Sequence, residues 1–236
     1  FAKNMGGNDT KRPLKLKNGT WYVGDAGGGK GYDIGEKVSD VTVTGEKGAI
    51  TYISAKTSGT TALVNLGIRT NYFPIADIKA GNIQLDDGKK LLDTFGIDHE
   101  KFCKVFNDAD AGMAYSETAT PAKGFKTSLL KALIKGSLGY GYHYVHKHSG
   151  GIKSFHMTEA INKKTAQANK LDVYYGGKSN EGQRIDMVVD TPTMELKFNI
   201  RDTSGKGQGI PDKFQAGYKF KDESEWSLAD GEEVDE

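Results

Sequence analysis

Three residues near the front of the chain have types and spacing suited to phosphate chemistry: Asp40, Ser54 and Lys56. They lie in DVTVTGEKGAITYISAKTSGTTALVN, residues 40–65. Two β-rich runs, 40–44 and 49–56, flank Gly45-Glu46-Lys47-Gly48, and such runs about a glycine-containing turn predict a hairpin. The acid opens the first strand, and the lysine closes the second. A carboxylate and an ammonium held on adjacent strands can grip a divalent cation and a phosphate together. Register decides whether they meet. A two-residue turn at Glu46-Lys47 would place Asp40 opposite Ile53, on the wrong face. A five-residue turn over 45–49 sets Asp40 beside Ser54 on one face.

A second acid–lysine set lies in RIDMVVDTPTMELKFNIRD: Asp186, Asp190, Glu195 and Lys197. Pairing about Pro192-Thr193 puts Asp190 opposite Glu195, Val188 opposite Lys197, Asp186 opposite Asn199 and Arg184 opposite Arg201. The other face, Val189/Leu196, Met187/Phe198 and Ile185/Ile200, is wholly apolar, so one buried and one wet side explain this hairpin. The same geometry clusters two acids and a lysine, which keeps Asp186, Glu195 and Lys197 as the reserve catalytic set. Downstream, Arg201, Lys206 and Lys213 surround a glycine-rich loop with Asn199 and Gln208 nearby; such a loop can lie against a nucleic-acid backbone. Four histidines, His143, His146, His148 and His156, sit on a pair of expected strands. A zinc site needs about four converging ligands, and alternation sends His143 to the opposite face from His146 and His148. With Tyr140, Tyr142 and Tyr144 they suit an aromatic, cationic surface able to stack bases.

The elements that position these residues follow from pattern. Asn18-Gly19 predicts a short hairpin over 15–23. The glycine run GDAGGGKGYDIG lacks the spacing and following helix of a phosphate loop and is expected to be a loop. Helices are expected over 75–80 behind Pro74, over 87–95 stopped by Gly96, and over 99–106 capped by Asp98. Cys103 falls at core spacing in the last of these. A small, polar stretch over 107–123 suggests a domain boundary. Beyond it, Phe125, Leu129, Leu133 and Leu130, Ile134, Leu138 recur at helical spacing. A hairpin over 140–148 and 152–157 follows, then a helix over 159–168 capped by Thr158. Strands are expected at 171–175, 183–191, 194–201 and near 216–221. The class is α+β, two lobes of mainly antiparallel sheet with flanking helices. Residues 1–115 would form the lobe built on the 40–56 hairpin, 116–221 a lobe able to grip DNA, and 222–236 an acidic tail.

The 236 residues carry a net charge of +1, and removing the acidic 222–236 leaves a positive body, compatible with a phosphate-rich partner. One cysteine precludes an internal disulfide and fits a reducing, intracellular setting. No apolar run approaches the ~20 residues that span a bilayer, and no signal peptide is seen. The chain begins at Phe1, which suggests that residues once preceded it. No nucleophile elbow, H-E-x-x-H, C-x-x-C or dinucleotide fingerprint is present.

Asp40 on one strand of a hairpin and Ser54-Ala55-Lys56 on the next resemble the PD-(D/E)XK nuclease superfamily. That family places an acid on one strand and an acid-x-Lys on its neighbour, and some restriction enzymes within it replace the second acid by serine. Glu195-Leu196-Lys197 resembles the same motif. The resemblance implies Mg²⁺-dependent hydrolysis of DNA phosphodiester bonds by an endonuclease of restriction-like or phage-encoded kind. Asp40 would hold the metal. Lys56 would neutralise the phosphate and position water. Thr57, Ser58, Thr60 and Thr61 would donate hydrogen bonds to the DNA backbone. No proline precedes Asp40, and no carboxylate follows Lys56 until Asp77. The replacing acid would then be Asp33, Glu36 or a residue ahead of Phe1. Two other readings fit the composition: a non-catalytic nucleic-acid-binding protein, and a structural or assembly protein of a virus particle that forms homo-oligomers.

Overall fold

The hairpin forms around the five-residue turn. Gly45 N–H donates to Ala49 O at 2.8 Å, Thr44 pairs with Ile50 and Val41 with Ile53. Gly48 takes φ +76° in this turn, a conformation that costs a residue without Cβ little. A computed structural model of the chain describes residues 3–4, 14–17, 20–23, 32–45, 47–56, 62–66, 72–110, 120–121, 124–148, 151–168, 170–176, 183–202, 209, 211 and 213–220. In chain order the elements are β1 (Lys3–Asn4), β2 (Leu14–Lys17), β3 (Thr20–Val23), α1 (Gly35–Val38), β4 (Val41–Thr44), β5 (Ile50–Lys56), β6 (Ala62–Leu66), α2 (Ile75–Ala80), α3 (Asp86–Phe95), α4 (His99–Asp110), β7 (Thr120–Pro121), α5 (Thr127–Leu138), β8 (Tyr142–His148), β9 (Gly151–Met157), α6 (Glu159–Thr165), β10 (Lys170–Tyr175), β11 (Arg184–Asp190), β12 (Met194–Arg201) and β13 (Lys213–Phe220).

These make an α+β fold with two main sheets. One is five-stranded, in order β1-β4-β5-β8-β9; the other is six-stranded, in order β6-β13-β12-β11-β10-β7. β2 and β3 pair separately. Ladders among the described residues are antiparallel except β5 with β8, which run parallel. A parallel neighbour requires a long crossover, and the chain uses it to lay down α2 to α5. The sheets do not divide at residue 116. β8 and β9, from the C-terminal half, complete the first sheet, while β6, from the N-terminal half, edges the second. The stretch 107–123, expected as a boundary, begins inside α4, which runs on to Asp110.

Helix ends follow local chemistry. Gly96 closes α3 at φ +62°, the left-handed cap that glycine adopts at least cost. Asp98 Oδ1 accepts from Lys101 N–H at 2.9 Å, and Thr158 Oγ1 from Ile161 N–H at 3.2 Å, satisfying donors that a helix start leaves open. Phe95 of α3 lies 5.3 Å from Phe198 and 6.0 Å from Phe214, ring centre to ring centre. This seats α3 on the apolar face of the six-stranded sheet. Leu130, Leu133, Ile134 and Leu138 of α5, Cys103 of α4, and Tyr142, Tyr144 and Phe155 of the five-stranded sheet join the same continuous core.

The register of the β11–β12 hairpin is as the sequence implies, residue for residue, and its polar side is wet only in part. Asp186 is 0 % exposed, Asn199 5 % and Val188 7 %, while Arg184, Asp190, Glu195, Lys197 and Arg201 on the same side stay partly exposed.

Candidate functional site

Asp40 stands directly before β4. Its N–H donates to Ile53 O at 2.8 Å, continuing the β4–β5 ladder, and the pairing of Val41 with Ile53 brings Asp40 level with Ser54. α1 sets the approach. Ser39 N–H donates to Gly35 O at 3.1 Å and Ser39 Oγ to Glu36 O at 3.3 Å, turning the chain from helix into strand. Asp40 Oδ2 accepts from Ala55 N–H at 2.8 Å. Ser54 Oγ stands 3.5 Å from the same oxygen, at the outer limit for a hydrogen bond. Lys56 Nζ lies 3.7 Å from it. The three contacts all fall on Oδ2, leaving Oδ1 to face a ligand. Asp40 and Lys56 side chains are 35 % and 20 % exposed. An ion pair of that length and exposure stabilises a fold by about 0–1 kcal/mol, so packing gives little reason for the arrangement.

The parallel pairing extends this site in a way that spacing did not reveal. Ser54 is level with Tyr144 and Lys56 with His146, while β9 sets Phe155 beside Tyr144 and Lys153 beside His146. A row of Lys56, His146 and Lys153 therefore runs across three strands next to Asp40. His146 is the residue that sequence reasoning did not join to this site: it stands level with Lys56. His143 pairs instead with His156, their rings stacked with centres 4.3 Å apart. Burial, and then the neighbouring His156, lower the pKa of His143.

Asp33 and Glu36 are the candidates for the replacing acid. Asp33 bridges to Tyr140 through its backbone and packs its carboxylate over Gly141. Among the described residues no three His, Cys, Asp or Glu side chains converge as a metal centre would require. Mg²⁺ typically takes one or two carboxylates and keeps several waters beside substrate phosphates. Asp40 fits that as a single protein ligand. The Ser54 hydroxyl, turned toward Asp40, supplies no second charge.

The reserve set is organised differently. Asp186 lies between Arg184 and Lys197: Oδ1 accepts from Arg184 Nε at 2.9 Å and Nη2 at 2.8 Å, and Oδ2 meets Lys197 Nζ at 2.9 Å. Both oxygens are engaged by cations, which opposes metal ligation. Glu195 pairs with Asp190, two positions along the strand from Lys197. The expected cluster of two acids and a lysine is thus a buried aspartate clasped by two cations. Arg201 and Lys213 are cross-strand neighbours. Thr57, Ser58, Thr60, Thr61 and Lys206 lie outside the described residues, as do the glycine run at 24–31 and the acidic tail. No described helix is long and apolar enough to cross a membrane.

The chain matches no protein-family model, no curated protein and no solved structure. Geometry and chemistry alone bear on its function.

Proposed function

We propose that the protein is a metal-dependent endonuclease that hydrolyses DNA phosphodiester bonds at Asp40 and Lys56. One observation carries this reading: a carboxylate pinned by the Ala55 N–H stands 3.7 Å from a lysine ammonium on the adjacent strand. In this reading Asp40 presents Oδ1 to Mg²⁺, which when bound supplies positive charge to the scissile phosphate. Lys56 neutralises a non-bridging phosphate oxygen and orients the attacking water. His146, next in the same row, extends that surface along the backbone of the bound strand. Ser54 holds Asp40 in its rotamer. The buried, unpaired Cys103 suits an intracellular, virus-encoded setting.

Incubation with supercoiled plasmid and Mg²⁺ tests the reading. The wild-type chain should nick or linearise the plasmid, EDTA should stop it, and Asp40→Asn and Lys56→Ala should each abolish it. Full activity in Lys56→Ala, with loss in Lys197→Ala of unchanged circular dichroism, would move the site to the other sheet.

The lone carboxylate favours a second reading, a nucleic-acid-binding protein without chemistry. It requires salt-dependent retention of DNA that EDTA leaves untouched, with a log–log slope set by the number of phosphates contacted. An assembly role would instead show as a large regular oligomer in light scattering.

A further inference from the structure

The polar face of the six-stranded sheet is charged unevenly along its strands. At one end the pairings align Lys170, Asp190, Glu195 and Lys219, with Asp172 held by Lys170 at 2.8 Å. Three acids meet two bases there. Two rows further on, Tyr174, Asp186, Asn199 and Gln215 cross the sheet, and beyond them Arg184, Arg201 and Lys213 stand side by side on three adjacent strands. Like charges directly opposite one another are unfavourable. Arg184 shares Asp186 with Lys197. Among the described residues the guanidinium of Arg201 meets no such counterpart: its Nε–H is buried with no hydrogen-bond partner. Asn199, 5 % exposed, likewise has a buried side-chain oxygen without a partner. Leaving such groups unsatisfied is unfavourable, more so for a charged one. Lys197 faces Gly217, which has no side chain, across the pairing. Counting Asp202, which follows Arg201 and ties its N–H to Gln183 O, four cations meet two acids at this end among the described residues.

We propose that this end of the sheet binds an anionic phosphate group. Arg201 donates through its Nε–H, Asn199 turns its amide to offer Nδ2, and Lys213 and Lys197 close on the remaining oxygens. Asp186 is not a ligand; it fixes Arg184 and Lys197 so that two of the cations are held in place before the anion arrives. A planar guanidinium beside ammonium groups matches a tetrahedral oxyanion better than it does a neutral ligand. The phosphate belongs either to a nucleic-acid backbone or to a small phosphorylated molecule. The site lies on a different sheet from Asp40 and does not depend on cleavage there.

Calorimetric titration of the full chain with inorganic phosphate at low ionic strength tests the proposal. Saturable binding is expected, weakened about tenfold or more by Arg201→Gln, the loss of one charge-assisted hydrogen bond. Lys213→Gln, at an exposed position, should weaken it too and gives a second variant should Arg201→Gln fold poorly. Absence of saturable binding, or the same affinity in wild type and both variants, overturns the site. Titration with a DNA duplex separates the sources. If Arg201→Gln weakens duplex and phosphate alike, the anion is a backbone phosphate; if it weakens phosphate alone, it is a free phosphorylated ligand. Asp40→Asn should leave phosphate binding intact, so loss of cleavage and loss of this site are read independently.

Discussion

At the scale of single residues, two aspartates that look alike in the sequence do opposite work, and stability measurements separate them. Asp186 is fully buried between Arg184 and Lys197. Asp186→Ala strands an arginine only 14 % exposed, and should cost about 3 kcal/mol, the low end for a broken buried pair because Lys197 can still reach water. Asp40→Asn keeps an acceptor for Ala55 N–H and should cost less than about 1 kcal/mol while removing cleavage. Urea midpoints at constant slope would check both, and equal losses would defeat the distinction. His143 adds a pH dependence. Its folded pKa lies below the ordinary 6.5, through burial and then His156, so the unfolded chain binds the proton more readily. The histidine costs nothing above the unfolded pKa. Its penalty grows as pH falls through about 6.5 toward the folded value, then levels off. His143→Gln should flatten that part of the urea midpoint-against-pH curve, and an unchanged slope would show that other groups set it. Asp40, Ser54 and Lys56 were legible as a set because both strands are close in sequence and only two registers competed. His146 was not, because its partner Lys56 is 90 residues away across a parallel ladder, and no local pattern announces a parallel neighbour.

At the scale of elements, the site depends on how closely α1 lies against β8. Gly35 begins α1, and a Cβ there would overlap the carbonyl of Gly141 and the ring of Tyr52. Gly141, at φ +85°, lies against the Asp33 carboxylate. The two glycines let helix and strand meet backbone to backbone, which fixes where Ser39 and Asp40 leave the helix. Gly35→Ala must push α1 outward, an overpacking cost of about 1–3 kcal/mol, and should carry Asp40 away from Lys56. The expected outcome is reduced cleavage at temperatures where circular dichroism is still native, and full activity would show that α1 does not position Asp40. The helices after residue 74 were readable, since their caps are local: Gly96, Asp98 and Thr158 each act where the sequence places them, whereas α1 starts at the end of a glycine run expected to be a loop. The wet side expected for β11 and β12 is only partly wet, for a tertiary reason. Alternation shows which residues share a face, but not that Arg184 and Lys197 both turn onto Asp186.

At the scale of the whole molecule, the order of strands decides what can fold alone. A chain cut near residue 116 would give a C-terminal piece holding β8 and β9 without β5, and β13 without β6. β8 would lose its parallel partner and expose Tyr142 and Tyr144, buried at 3 % and 1 % exposure, to water on a newly created edge. Unpaired edges with apolar faces invite association. Moreover α5, α3 and α4 serve both sheets through one continuous core, so the helices that would cover the orphaned strands are divided between the pieces. The composition shift after Asp110 marks a change of local chemistry rather than a change of core, which is why it suggested a boundary that the sheets cross. Expressed alone, residues 116–236 should therefore lack a cooperative urea transition and be cleaved rapidly by protease. The full chain should unfold in one transition seen alike by near-ultraviolet and far-ultraviolet circular dichroism. Two separated transitions in the full chain, or a protease-resistant 116–236 fragment, would mean that the shared core is not what holds the sheets together; the Asp40–Lys56 site, which needs β8 beside β5, would then have to survive on the N-terminal piece alone.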